Sequence, residues 1–408
     1  MFLGEEKYGR NIVKQVVEPV NTTRKGRASF SAKRVLLDPV ERIKGEVQKY
    51  MKVAIMGAGL AGLSCAHELE KHGIIPVVYE RNSYIGDQMS HVGALLEIIN
   101  RPIKNIFEYM ETEYDIRLKP LNVLKKLTHF SPNKTTVVKG NLGFFTKRSN
   151  EEDSIAGQLY SQLRNIDLRL NQSPYLDKLA SSNDYVIVAN GNTIYSETLG
   201  CWQSWLNTYV RGAVVHGNFD PHELKVWVNR DYCKRGYAYL TPFNEKKASL
   251  VAIASDVNEK EIDQYWEYFL NTENLKYTII EEFKLEHKSG FAYPLKVDNI
   301  ILAGNAGGVI DPFLGFGQYN SITQGVMAAR SIIFNQDYEK LVGRITKKTF
   351  DLLQFRKVYD MMNNKEYDLL IKSIGLPGIK HVAYYTPLNV LKLGAAVFKH
   401  IPAKKRNI

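Results

Sequence analysis

The chain has 408 residues, 44% of them hydrophobic and 24% charged, which supplies a large core and excludes wholesale disorder. Its net charge of +11 raises nucleic acid as a partner, but the basic residues are mostly interleaved with acids, the pattern of a solvated surface, and no nucleic acid is expected. Cys65, Cys201 and Cys233 share no CxxC or metal-ligand spacing, which argues against a disulfide framework, a thiol redox pair or a metal site and fits a reducing, cytoplasmic compartment.

Residues 1–50 have weak periodicity and two basic clusters, at 24–27 and 33–34, and are expected to form a basic extension peripheral to the core. Val53–Met56 then reads as a buried strand, Leu60–His72 as a helix with small residues on one face, and Pro76–Tyr79 as a second strand. Between the first two, Gly57, Gly59 and Gly62 match G-x-G-x-x-G. The first glycine permits a tight turn, the second lets a pyrophosphate approach the backbone, and the third lets helix and strand pack closely. Leu60 and Ala61 open the helix, whose positive N-terminus suits phosphates. Glu80 ends the second strand, where a carboxylate accepts ribose hydroxyls, and Arg81 follows it. This is a β-α-β dinucleotide unit, equally serviceable for NAD or FAD.

Further on, Ala213–Tyr232 and Gly236–Ser255 alternate β-branched and aromatic residues between turn formers, as antiparallel strands do. The alternation puts Tyr237 and Tyr239 on one face, where they become candidates for a cavity role. Asn299–Gly304 is a strand that runs into a second glycine-rich turn, Asn305–Gly317, followed by a helix from Gln318 to Phe334. Such a turn aims another helix N-terminus at the far end of the same cofactor. After Phe334 the pattern is helical, broken at Gly375–Gly378. The last apolar stretch, with Lys392 and Lys399 on one side and the cationic AKKR beyond, reads as a terminal helix that packs on the core or lies at a membrane surface.

From Val53 to about Arg330 the chain resembles the FAD-dependent oxidoreductases of the p-hydroxybenzoate hydroxylase fold, in particular the geranylgeranyl reductase branch. The resemblance rests on the first fingerprint and on GNAGGVIDPFLGFG at 304–317, where the family reads GDAAG followed by DPxxGxG. It implies an α/β fold: a Rossmann-type FAD-binding lobe over 51–199 and 291–335, an inserted antiparallel substrate lobe over 200–290, and a C-terminal helical region over 336–408. It assigns FAD contacts to Gly57, Gly59, Leu60, Ala61, Gly62, Glu80, Arg81, Gly304, Asn305, Asp311, Gly315 and Gly317, and places Arg148 near the flavin or its phosphates. It also sets Tyr237 or Tyr239 over the flavin.

Two asparagines depart from the family pattern: Asn305 and Asn190 stand where aspartates are usual. An amide still bonds hydroxyls, as donor and acceptor. No catalytic cysteine carries over, and His91, His216 and His287 lack partners at metal-like spacing. With a single nucleotide fingerprint, the reductant, NAD(P)H or a ferredoxin-like protein, must dock transiently. Phe313 and Phe316, in the turn expected to face the flavin, favour an apolar substrate. The expected function is reduction of C=C bonds in an isoprenoid or other lipid-like molecule. The alternatives are an aromatic monooxygenase and, from another class, a non-catalytic flavin- or lipid-binding protein.

Overall fold

The computed structural model describes residues 51–87 and 89–398; the expected basic extension, 1–50, and the tail beyond 398 lie outside them. Strand β1 (Val53–Met56) is buried throughout. Four consecutive apolar residues need cover on both faces, which a parallel sheet flanked by helices provides. Helix α1 (Leu60–Lys71) follows, then β2 (Val77–Tyr79), parallel to β1 with Ala54 opposite Val77.

Three strands next build a different sheet: β3 (His91–Leu96), β4 (Asn122–Ser131) and β5 (Lys134–Arg148). β6 (Asp167–Arg169) and β7 (Tyr185–Val188) return to the parallel one. β8 (Trp202–His216), β9 (Glu223–Trp227), β10 (Tyr237–Pro242), β11 (Lys247–Ser255) and β12 (Thr278–Ala292) complete the second sheet. Helix α2 (Glu261–Thr272) covers its back with Trp266 and Phe269. β13 (Lys296–Val297) and β14 (Ile300–Leu302) close the first sheet, in the order β13-β14-β7-β1-β2-β6; the second runs β12-β8-β11-β10-β9-β4-β5-β3. Helices α3 (Gln318–Ile333), α4 (Tyr338–Met361), α5 (Asn364–Ile374) and α6 (Val390–Phe398) finish the described chain.

β3–β5, which fall within the 51–199 expected for the FAD-binding lobe, belong to the eight-stranded sheet. Alternation along β4 signals a strand but not its partner, and that partner, β9, comes from the substrate stretch, with Lys126 opposite Glu223.

Helices α1 and α3 are pressed together beneath the parallel sheet. Ser64 Oγ donates to the Ile322 carbonyl at 3.0 Å, and buried Glu68 pairs with Arg330 at 2.7 Å. A Cβ at Gly325 would lie 2.1 Å from the Ala61 carbonyl oxygen. Gly325→Val is therefore expected to cost about 3 kcal/mol or more through overpacking, a fall in Tm on the order of 5–10 °C measurable by differential scanning calorimetry.

Candidate functional site

The turn after β1 carries the three fingerprint glycines in distinct settings. Gly57 has φ +108°, and a Cβ there would sit 2.4 Å from the Ala189 carbonyl oxygen, so no other residue fits. At Gly62 a Cβ would lie 1.9 Å from the Gly57 carbonyl oxygen, which keeps α1 close to its own turn. At Gly59, the N-cap of α1, a Cβ would meet nothing within 4 Å, and no side chain caps the helix. A helix start left uncapped beside that space is what an anion site requires.

Glu80 is buried and uses both carboxylate oxygens: Oε2 accepts from Ala58 N and Oε1 from Asn82 N, each at 2.9 Å. It lines a cavity of ≈ 190 Å³ together with Gly57, Tyr79, Arg81, Asn190 and Tyr195. Asn190 Oδ1 is buried there and has no hydrogen-bond partner among the described residues, an acceptor left for something outside the protein. An orphaned acceptor, a buried carboxylate and an uncapped helix beside empty space fit the ribose and pyrophosphate of a dinucleotide.

The second glycine-rich turn lies against the first: a Cβ at Gly304 would come within 3.0 Å of Ala61 Cβ. The two asparagines that depart from the family pattern both bond the loop after β7. Asn305 Nδ2 donates to the Gly191 carbonyl at 2.8 Å, and Asn190 Nδ2 donates to Asn192 Oδ1 at 3.1 Å; a carboxylate at 305 has no proton for that bond. Gly317 is the N-cap of α3, again with no side-chain cap.

Asp311, assigned to the cofactor by the resemblance, has a defined place within the turn. Its carboxylate is buried and accepts from Phe313 N, Leu314 N and Phe316 N at 3.0, 2.7 and 2.8 Å, so it holds the turn in shape. Asp311→Ala orphans three amides and is expected to cost about 2–4 kcal/mol, with loss of both thermal stability and cofactor retention. Phe313 packs on Phe355 and Tyr359, with ring centroids 5.7 and 5.9 Å away, and Phe316 joins an apolar cluster. Both phenylalanines have a structural explanation, so neither identifies the substrate.

Around Arg148, a residue the sequence already singled out, the structure assembles polar partners that sequence reasoning missed. Gly86 N donates to the Ala58 carbonyl at 3.3 Å, which brings Asp87 to the first turn. Asp87 holds Arg148 in two bonds of 2.7 and 2.9 Å. Burial pulls the Asp87 carboxyl up, but Arg148 outweighs it and holds the group below its ordinary value. His91 faces Arg148 across β3 and β5. The His287 ring, on β12, lies 3.2 Å from where a Cβ at Gly315 would be, so it belongs to the second turn. Burial, reinforced by the Arg148 charge, pushes both histidines down to about 4; they are neutral at pH 7. No sequence spacing could reveal this cluster, because it depends on the pairing of β3 with β5 and on the approach of β12 to the second turn.

Tyr237 and Tyr239 share a face of β10, their ring centroids 6.0 Å apart. The Tyr237 hydroxyl donates to the Leu314 carbonyl and anchors the turn. Tyr239 shows no such bond. Burial pushes its phenol up to about 12, against the pull of Arg148. In register beside these tyrosines stand Val251, Ile253, Val210, Phe283 and Leu285, an apolar wall.

The NAD(P)-binding Rossmann-like domain family matches residues 55–102. A 15-cis-phytoene desaturase of Synechococcus elongatus is 55% identical over 40 residues, 10% of this chain and 8% of that protein. A geranylgeranyl bacteriochlorophyll reductase-like protein of Thermoplasma acidophilum superposes with a TM-score of 0.67 at 18% identity, covering 86% of this chain and 97% of that one. The fold is that of the flavin-dependent oxidoreductases. The same fold is seen in the flavin-dependent brominase Bmp2, with a TM-score of 0.58 at 13% identity over 85% of this chain and 96% of that one. It is also seen in aklavinone-11 hydroxylase, whose structure holds FAD and aklavinone, with a TM-score of 0.56 at 14% identity over 79% and 70%. Among the described residues, no cluster of His, Cys, Asp or Glu could hold a metal ion, and no helix is long and apolar enough to cross a membrane.

Proposed function

We propose that the protein is an FAD-dependent oxidoreductase that reduces carbon-carbon double bonds of an isoprenoid or similarly apolar substrate. The observation that carries this reading is the wall of Val210, Val251, Ile253, Phe283 and Leu285, with Tyr239 beside Arg148 at its edge. A hydrocarbon chain gains free energy on leaving water for apolar side chains of this kind. Gly59, the α1 N-terminus, Glu80 and Asn190 would hold the adenosine and pyrophosphate of FAD; Asn305 and the α3 N-terminus would meet its other end. When bound, the flavin supplies hydride chemistry. With one nucleotide fingerprint, electrons come from a transiently docked donor, NAD(P)H or a ferredoxin-like protein.

Adding hydrogen across a double bond takes a hydride at one carbon and a proton at the other. Tyr239 is assigned the proton. Its hydroxyl is protonated at pH 7, it stands on the apolar wall, and the Arg148 guanidinium favours the phenolate left behind. Asp87 fixes Arg148 in position. Tyr239→Phe is expected to slow substrate-dependent reoxidation of the reduced enzyme about 10²-fold, with flavin content unchanged. Wild-type turnover should fall only as pH rises towards the phenol's range. Tyr237→Phe, which removes only a turn anchor, should cost less than tenfold. Stopped-flow traces distinguish the two variants, and equal rates in Tyr239→Phe and wild type would remove the assignment.

A second reading, the aromatic monooxygenase, is favoured by the neutral rings of His91 and His287 near Arg148. Such groups can orient a phenolic substrate. Oxygen consumption with substrate separates the two.

A further inference from the structure

We infer that the C-terminal helical region is a docking face for an anionic lipid bilayer. From Leu376 to Leu388 every third residue is a large apolar side chain open to solvent: Leu376, Ile379, Val382, Tyr385 and Leu388. With Leu369 and Leu393 they are between 44% and 64% exposed. A soluble surface scatters such residues singly; a run of this kind marks an interaction surface. Leu369 also borders an apolar crevice of ≈ 420 Å³ lined by Met361, Met362 and Leu370.

Charge decides the occupant. The forty residues after Asp368 contain seven Lys or Arg and not one Asp or Glu. Lys372, Lys380 and Lys392 lie among the exposed apolar residues, and none takes part in an ion pair among the described residues. Apolar side chains interspersed with unneutralised lysines match a surface that offers hydrocarbon beneath negative headgroups. A second copy of this chain would bring the same positive face to a two-fold contact. Residues 1–50 carry eleven Lys or Arg against six Asp or Glu, so they too meet the face with like charge. With no helix among the described residues able to span a bilayer, the contact is peripheral, and it stands whatever reaction the site performs.

The test is co-sedimentation of the full-length protein with vesicles of phosphatidylcholine alone or mixed with phosphatidylglycerol. Binding is expected to the anionic vesicles only and to weaken as salt rises. The triple variant Ile379→Asp, Val382→Asp, Leu388→Asp and, separately, Lys372→Glu with Lys392→Glu should each reduce partitioning about tenfold. Both sets lie on exposed side chains, and circular dichroism checks that each variant is folded. The inference is overturned by failure to bind anionic vesicles or by unchanged binding of both variants. It is equally overturned if light scattering finds a dimer that the aspartates dissolve, or if binding appears only when residues 1–50 are deleted.

Discussion

Gly59→Val is expected to purify without flavin yet to stay folded. The backbone at 59 is extended, with φ −89° and ψ −171°, which valine adopts readily, and a Cβ there meets no atom within 4 Å. The new side chain fills only the space in which a pyrophosphate must approach α1. Apparent affinity for FAD should fall at least 10²-fold, about 3 kcal/mol, while the melting temperature of the flavin-free protein stays within about 2 °C of wild type. Gly62→Val, three residues on, should instead fail to fold, because its Cβ would sit 1.9 Å from the Gly57 carbonyl oxygen. Glu80→Ala falls between: it removes the acceptor for Ala58 N and Asn82 N and should weaken both fold and cofactor binding, by about 1.5–3 kcal/mol for each bond to the carboxylate. Flavin content by absorbance, set against thermal melts, checks all three; wild-type flavin content in Gly59→Val would refute the cradle.

The second large effect is acid lability. His91, His129 and His287 are each pushed down to about 4, burial being the leading cause, from 6.5 in the unfolded chain. Between pH 6.5 and about 4 the unfolded state therefore holds protons that the native state lacks, and lowering pH favours unfolding. Stability is full above 6.5, erodes as pH falls through that window, and levels off below about 4. Each group contributes up to about 1.4 kcal/mol per pH unit, so three reach about 4 kcal/mol per unit as an upper bound. Asp87, held below its ordinary value by Arg148, takes up its proton only at lower pH. Urea titrations at pH 7 and pH 5 measure the loss. In the double variant His91→Gln, His287→Gln, about two thirds of it should disappear, provided the variant is as stable as wild type at pH 7.

The dinucleotide turn was legible because its determinants are local. Gly57, Gly59, Gly62 and Glu80 lie within one β-α-β unit, and each is dictated by a backbone approach that sequence spacing encodes. The second turn was legible for the same reason, and Asp311 braces it from within. The placement of β3, β4 and β5 in the second sheet was not legible, since the partner of a strand is a non-local choice. The cluster of Asp87, His91, Arg148 and His287 was hidden by the same fact: its members come from three separate stretches, 87–91, 148 and 287, that only the packed sheets bring together. Asp87 carried no signal of its own, and the two histidines were set aside because they lacked partners at sequence spacing. Phe313 and Phe316 pack within the fold, a role that their sequence position alone did not show.

The central claim is reduction of an apolar double bond, and its most direct test begins with the flavin-loaded protein reduced by dithionite without oxygen. Addition of a geranylgeranyl lipid should reoxidise the flavin, with a product heavier by two hydrogens for each double bond. Substrate-stimulated oxygen uptake under air, with a product heavier by one oxygen and no anaerobic reoxidation, would contradict it and establish the monooxygenase instead.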